Sequence, residues 1–327
     1  MQPLDLTLDD LRAAAARIGA QARVTPVLDS EVLDAAAGAT LHFKAEHLQR
    51  GGAFKLRGAL NAVWALDEAT AARGVVTHSS GNHGNALALA ARSRGIPAHV
   101  VVPEGAVRTK VAAIEASGAT IHRCAPTLAA REAAAAAVQA RTGATLVHPY
   151  ADPRVIAGQG TAALELLAQV ADLDALVVPI GGGGLAAGSA IAAHAWNPRM
   201  DVYAAEPEGA ADAWLSLRRG ERVTDVVPNT ICDGLRAAIG APNFDLLRAH
   251  RVEVLPVSDG ETLAAMRRLW ADLKQVVEPS SATVLAAVLR HRERFAGRRV
   301  GLILSGGNVD LDAIAFCARC GATGSAA

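Results

Sequence analysis

From about residue 74 the apolar positions fall into two kinds of segment that take turns. Short β-branched runs predict strands at 74–77, 98–102, 120–123 and 145–147, and alanine-rich stretches between them predict helices over 82–94, 108–117 and 127–141. A second series places a helix over 156–170, a strand over 175–180, a helix over 185–195 and a strand over 202–205. It continues with a strand over 252–257, helices over 259–273 and 280–290, and a strand over 299–304. Such alternation is the pattern of parallel sheets covered by helices on both faces. No fixed-period repeat or low-complexity linker interrupts it. The one conspicuous loop, HPYADPR at 148–154, separates the two series and is the expected crossing between them. The expectation is two doubly wound α/β layers with a cleft between them.

One stretch complicates the pattern. Residues 175–194, ALVVPIGGGGLAAGSAIAAH, carry no acid, lysine or arginine and could span a bilayer if helical. Pro179 and the run Gly181 to Gly184 break it instead into a strand, a loop and a helix. The start of the chain has three acids in its first ten residues and no apolar secretory core, so it does not read as a signal peptide. Thr7 with Asp10 three positions later reads as a helix cap.

Composition narrows the function classes. In 327 residues, 32 lysines and arginines balance 32 aspartates and glutamates, which leaves no basic footprint for nucleic acid or an anionic membrane. Aromatic residues are only 3% of the chain, too few for base-stacking platforms, while 51% hydrophobic residues can build a large core. The cysteines, Cys124, Cys232, Cys317 and Cys320, are too few for a disulfide scaffold. Cys317 and Cys320 form a lone C-x-x-C, read as reduced thiols rather than zinc ligands. A cytoplasmic enzyme or metabolite-binding protein, with no nucleic-acid or membrane partner, fits this composition.

No H-E-x-x-H, G-x-S-x-G, Walker or calcium-loop pattern is present. Four glycine-bearing segments carry the candidate chemistry. Gly181, Gly182, Gly183 and Gly184 lie between a strand and an alanine-rich helix, where backbone N–H groups and a helix end of roughly half a positive charge suit an anion such as phosphate. Gly181, Gly183 and Ala186 also satisfy G-x-G-x-x-A, and Glu206 follows at the end of the next strand, so a nicotinamide dinucleotide competes on this feature. Lys55, behind Gly51, Gly52, Ala53 and Phe54 at a helix start, is placed where the helix dipole would depress its pKa and favour a nucleophilic amine; a solvated surface lysine is the alternative. Ser79-Ser80-Gly81-Asn82-His83-Gly84 leaves a strand and opens a helix, which suits either a carboxylate cradle or an ordinary N-cap. Ser305-Gly306-Gly307-Asn308 again follows a strand, where a hydroxyl would face the ligand crevice of an α/β fold.

Taken in this order, the segments resemble the serine/threonine dehydratase family of pyridoxal-phosphate (PLP) enzymes, which includes serine racemase. FKLRGA around Lys55, SSGNHG at 79–84, HPYADPRVIAGQGT at 148–161, GGGG at 181–184, AAEP at 204–207, EPSSA at 278–282 and LSGGN at 304–308 carry the likeness, over about residues 10 to 315. It implies the tryptophan-synthase-β-like, fold type II architecture: two doubly wound open-sheet domains, a large one from 1–73 and 148–327 and a small one from 74–147. It also implies a homodimer. Lys55 would hold PLP through its amine, Phe54 would pack on the ring, Asn82 would bond its phenolic oxygen, Gly181 to Gly184 would bind its phosphate, and Ser305 would face its ring nitrogen. Glu278 matches a position near the cofactor. Ser79, Ser80, Asn82 and His83 would cradle the carboxylate of an amino-acid substrate, with Arg131 near its side chain. A neutral hydroxyl at Ser305 makes the ring a weaker electron sink, which favours prompt loss of a β-leaving group.

The implied reaction is dehydration of a 3-hydroxy amino acid to a 2-keto acid and ammonia, with Lys55 taking the α-proton. Serine or threonine is the default substrate, and 3-hydroxyaspartate or a bulkier β-hydroxy amino acid the alternative. Ser80 matches the second base of serine racemase, so racemisation stays open. Glu206, Ala210 and Asp212 match a divalent-cation site, and two carboxylates with a carbonyl suit Mg²⁺ or Ca²⁺. Two departures stand out. Ala53 replaces the usual Ser or Thr two positions before the lysine, and the chain leaves no room for a C-terminal regulatory domain, so feedback control by isoleucine is not expected.

Overall fold

The computed structural model describes residues 4–106 and 108–310. Cys317 and Cys320 lie outside them. Within the described residues there are two sheets. The larger contains β1 (Val27–Leu28), β2 (Thr40–Lys44), β7 (Ala175–Pro179), β8 (Asp201–Pro207), β9 (Glu253–Val257) and β10 (Arg299–Ile303) in the order β1-β2-β10-β7-β8-β9. The smaller contains β3 (Val75–His78), β4 (Ala98–Pro103), β5 (Thr120–Cys124) and β6 (Thr145–Leu146) in the order β5-β4-β3-β6. All neighbours are parallel except β1 and β2. The doubly wound α/β reading therefore holds, and the chain leaves the smaller sheet through the 148–152 loop before helix Pro153–Gln169.

The central strands are unbroken apolar runs because both of their faces are covered. Every residue of β7 and of β3 is buried. Helix Gly184–Trp196, buried from Gly184 to Ala193, lies against helix Pro153–Gln169. Small residues permit the approach: a Cβ on Gly188 would stand 2.5 Å from the Ile156 carbonyl oxygen, and one on Gly160 2.8 Å from that of Gly188. The acid-free stretch is thus a strand and a core helix, and among the described residues no helix is long and apolar enough to cross a membrane. Helix Leu8–Ile18 begins as read, with the Thr7 N–H donating to Asp10 Oδ2 at 2.8 Å.

Two strands were not anticipated. β2, TLHFK, alternates polar and apolar residues but is only five residues long and precedes the series read from residue 74, and β1 is two residues long; both extend the larger sheet beyond β10. The consequence for the site is geometric. The candidate segments at 79–81, 180–183 and 304–308 all leave the carboxyl ends of strands, where open α/β sheets gather their ligand-binding loops.

Candidate active site

Lys55 opens helix Lys55–Trp64, with Phe54 at its N-cap. The loop before it is held by the loop after β10. The Phe54 N–H donates to the Ser305 carbonyl at 3.0 Å, the Gly307 N–H donates to the Gly52 carbonyl at 2.9 Å, and Ala53 bridges Gly306 in antiparallel fashion. Gly52 has φ 74°, and a Cβ there would meet Asn308 Oδ1 at 2.4 Å, so both conformation and space require glycine. Ser305 is buried, and its hydroxyl makes no hydrogen bond to another described residue.

The Lys55 amine stands 5.0 Å from the Phe54 ring centroid and donates to the Pro149 carbonyl at 3.1 Å. Its pKa is pushed down to about 8, chiefly by burial, with Glu278 pulling the other way. A helix end was expected to depress it; the lowering comes from burial. Both oxygens of Glu278 accept from Asn82 Nδ2, at 3.0 and 2.9 Å. Burial raises that carboxyl to about 7 against the Asn82 hydrogen bond. Asn82 Oδ1 in turn accepts from Asn308 Nδ2 at 2.9 Å, and the same amide donates to the Gly51 carbonyl at 2.8 Å. Segments far apart in sequence thus meet around Lys55.

The 79–84 turn is tight: a Cβ on Gly84 would stand 2.1 Å from the Ser79 carbonyl oxygen. Ser79 Oγ accepts from the Gly81 N–H at 3.4 Å, whereas the Ser80 hydroxyl has no partner among the described residues. The His83 ring turns inward, with Nε2 3.3 Å from the Val147 carbonyl and Nδ1 unpaired; burial holds its pKa well below the usual range. What His83 can offer a ligand at this helix start is therefore its backbone N–H. Arg131 lies on helix Leu128–Thr142, and its charge is felt at His78 and Tyr150.

The glycine run has a packing reason as well as a chemical one. A Cβ on Gly182 would lie 2.3 Å from Tyr150 Cγ, and one on Gly181 2.8 Å from Leu235 Cα, while Gly183 has φ 89°. Asn243 Nδ2 donates to the Gly182 carbonyl at 2.5 Å and to the Tyr150 carbonyl at 2.9 Å. The N–H groups from Gly181 to Leu185 meet no backbone acceptor outside the helix, so they are available to an anion.

Glu206 lies near the end of β8, and Asp212 opens the helix that follows. Glu206 Oε1 accepts from the Ala213 N–H and Oε2 from the Trp214 N–H, each at 2.8 Å, so the carboxylate caps helix Asp212–Arg219. Asp212 Oδ2 accepts from the Ile239 N–H at 2.7 Å. Ala210 is buried beside them in the turn Glu208–Ala210. Burial raises Glu206 to about 8 and Asp212 to about 6. Among the described residues no group of three or more His, Cys, Asp or Glu is arranged to hold a metal. Sequence reading missed the roles of His148, Tyr150 and Asn243, and the ion pair of Lys110 with Asp233. The polar-aromatic loop at 148–150 was the available signal for the first two.

The site thus brings together a depressed lysine amine, an N–H cradle after β7 and a second polar turn after β3, and the chain belongs to the family described as pyridoxal-phosphate dependent enzyme, whose model matches residues 18–306. Its relatives sharpen the class. It is 48% identical over 306 residues to a beta-hydroxyaspartate dehydratase of Paracoccus denitrificans, covering 94% of this chain and 97% of that one. It is 45% identical over 319 residues to a serine racemase of Dictyostelium discoideum, covering 96% and 98%. The structure of maize serine racemase superposes with a TM-score of 0.93 at 44% identity, covering 94% of this chain and 95% of that one.

Proposed function

We propose that the chain is a PLP-dependent dehydratase that removes water from a 3-hydroxy amino acid and yields a 2-keto acid and ammonia, with 3-hydroxyaspartate the leading substrate. The observation that carries the reaction is the half-buried Lys55 amine, depressed to about 8 and hydrogen-bonded to the turn whose Tyr150 packs on the glycine run. The residues fit the cofactor. Gly181 to Gly184 offer unpaired N–H groups to its phosphate, Ser305 an unpaired hydroxyl to its ring nitrogen, and Phe54 an apolar face. Asn82 and Glu278 are already hydrogen-bonded to each other, and the Glu278 charge acts on Lys55. PLP, when bound, supplies the electron sink that acidifies the substrate α-C–H. Lys55 takes the α-proton at Nζ, since a substantial fraction of an amine of this pKa is neutral near pH 8. The N–H groups of the 79–84 turn, with the Ser79 and Ser80 hydroxyls, hold the α-carboxylate. The 48% identity to a beta-hydroxyaspartate dehydratase supports a substrate bearing a second carboxylate, which Arg131 would meet.

An ammonia-release screen over both configurations of serine, threonine and 3-hydroxyaspartate tests this reading. The highest kcat/KM is expected for 3-hydroxyaspartate, together with visible absorbance lost in Lys55→Ala. A colourless protein, or full activity in Lys55→Ala, would overturn it. Racemisation is a second reading, favoured by the unpartnered Ser80 hydroxyl. Chiral analysis of Ser80→Ala separates the two: loss of racemisation with ammonia release kept assigns Ser80 as a base, and no response in either reaction leaves it a carboxylate contact.

The same reading divides the chain into a large domain (1–73 and 148–327) and a small one (74–147), and takes it as a cytoplasmic homodimer. It also places Mg²⁺ or Ca²⁺ at Glu206, Asp212 and the Ala210 carbonyl. Two buried carboxyls with raised pKa values and no cationic partner among the described residues fit a hard cation, which would supply the missing charge. Chelation should lower Tm, and either cation should restore it; an unchanged Tm would remove the metal.

A further inference from the structure

The 148–151 turn touches both ends of the site, and one side chain holds the turn. His148 Nδ1 accepts from the Tyr150 N–H at 3.4 Å and from the Ala151 N–H at 3.1 Å. A ring nitrogen that accepts cannot carry a proton, so the imidazole is neutral with its proton on Nε2. Burial and the nearby His78 and Lys55 push its pKa down to about 4, in agreement with that geometry. The ring is further set by edge contacts to Tyr150, with centroids 4.5 Å apart, and to His78 at 5.6 Å.

What the turn carries is specific. The Pro149 carbonyl takes the hydrogen bond of the Lys55 amine. One residue on, the Tyr150 ring fills the space that any side chain on Gly182 would need, and the Tyr150 carbonyl shares the Asn243 amide with Gly182. The lysine and the glycine run are therefore positioned against the same short segment.

We infer that His148 is a positioning residue for the cofactor site, its Nδ1 fixing the turn that sets Lys55 against the phosphate-binding glycines. This rests on the PLP reading of Lys55 and Gly181 to Gly184. His148 acts through Pro149 and Tyr150, so its loss should loosen cofactor binding and disturb the lysine before it alters the substrate cradle.

The test compares His148→Asn with His148→Gln. Asparagine carries an acceptor at the reach of the N–H groups two and three residues on, as in an Asx-turn; the longer glutamine does not. Each apoenzyme is titrated with PLP, and the visible absorbance and dissociation constant are read. His148→Gln should weaken PLP binding about tenfold, the effect of losing two buried hydrogen bonds. His148→Asn should stay within about twofold of the wild type, because the acceptor is retained. Glutamine and asparagine variants that bind alike, with wild-type affinity and absorbance, would overturn the inference. If the wild type itself forms no lysine-dependent absorbance with PLP, the underlying reading fails instead. A measurement on the unaltered enzyme stands independent of how either variant folds. Its ¹⁵N-histidine spectrum should show His148 protonated at Nε2 and bare at Nδ1 from pH 6 to 8, and a proton on Nδ1 would overturn the proposal.

Discussion

Gly182→Ala is the sharpest perturbation of the site. Its Cβ would stand 2.3 Å from Tyr150 Cγ and 2.5 Å from each Cδ, more than an ångström inside ordinary contact. The ring has little room to yield. His148 lies edge-on with centroids 4.5 Å apart, and the Cβ position at Gly240 is already 3.2 Å from Tyr150 Cδ2. Relief therefore comes from the glycine run or from the 148–151 turn. Overpacking of this kind costs about 1–3 kcal/mol of stability. Cofactor binding should suffer more, because each charge-assisted hydrogen bond from a misdirected N–H is worth about 1.5–3 kcal/mol. One or two lost bonds predict PLP binding weaker by about 10- to 100-fold or beyond. The assay is PLP titration of the apoenzyme alongside its Tm. Gly260→Ala serves as control: its Cβ would meet nothing closer than 4.0 Å, and its helix position should tolerate or welcome alanine. A Gly182→Ala protein that binds PLP as tightly as the wild type would refute the reasoning, since the cradle would then not depend on the close approach of Tyr150.

Arg57→Met should cost about 3–5 kcal/mol in urea unfolding, because it strands buried Glu46, whose two oxygens the guanidinium binds at 2.7 Å each. Glu278→Gln should flatten part of the pH dependence of stability in the cofactor-free chain. The folded carboxyl, at about 7, lies above its ordinary 4.5, so the fold favours the protonated form and stability falls as pH rises from about 4.5 to 7. The variant should gain on the order of 3 kcal/mol relative to the wild type between pH 4 and 8, read as the difference in Tm, and parallel curves would remove the assignment. Lys110→Met should lower stability by under about 1 kcal/mol, because both partners of its pair with Asp233 are partly exposed. The pair joins helix Arg108–Ala116 to the segment Asp233–Leu235, so KM should rise several-fold with kcat kept; an unchanged KM would make it a surface contact only. Sulfate, a probe of the anion cradle that does not titrate, should bind the apoenzyme with proton uptake at pH 8, and calorimetry in buffers of different ionisation enthalpy would detect it.

Local chemistry made much of this fold legible. Helices Asn82–Arg94 and Asp259–Leu273 begin and end where the sequence placed them, because an αL glycine, Gly95, closes the first and the Ser258–Glu261 capping box opens the second. β2 escaped because it runs beside a two-residue edge strand and mixes His42 and Lys44 with apolar residues; the Lys44 amine is buried only because Glu165, Gln169 and the Thr25 carbonyl receive it. At the site, the same split recurs. The glycine turns announce themselves, since their requirement is conformational. Partners set by the fold do not: that Glu278 would pair with Asn82, or that Glu206 would spend both oxygens on a helix start, depends on contacts across the chain.

The formal charge of zero conceals how the site handles charge. Lys55, His83 and His148 are all pushed toward their neutral forms, first by burial and, at the two histidines, also by neighbouring charge that includes Lys55. Glu278, the carboxyl facing Lys55, is raised toward neutrality as well. A fully charged lysine would have been easier to solvate with a nearby aspartate, but that arrangement would hold the amine protonated and unable to take a proton. The chain instead leaves the amine short of counter-charge and supplies backbone N–H groups, which bind anions without titrating. The incoming phosphate and carboxylate then bring the negative charge, and the protein contributes a base that is already free to act.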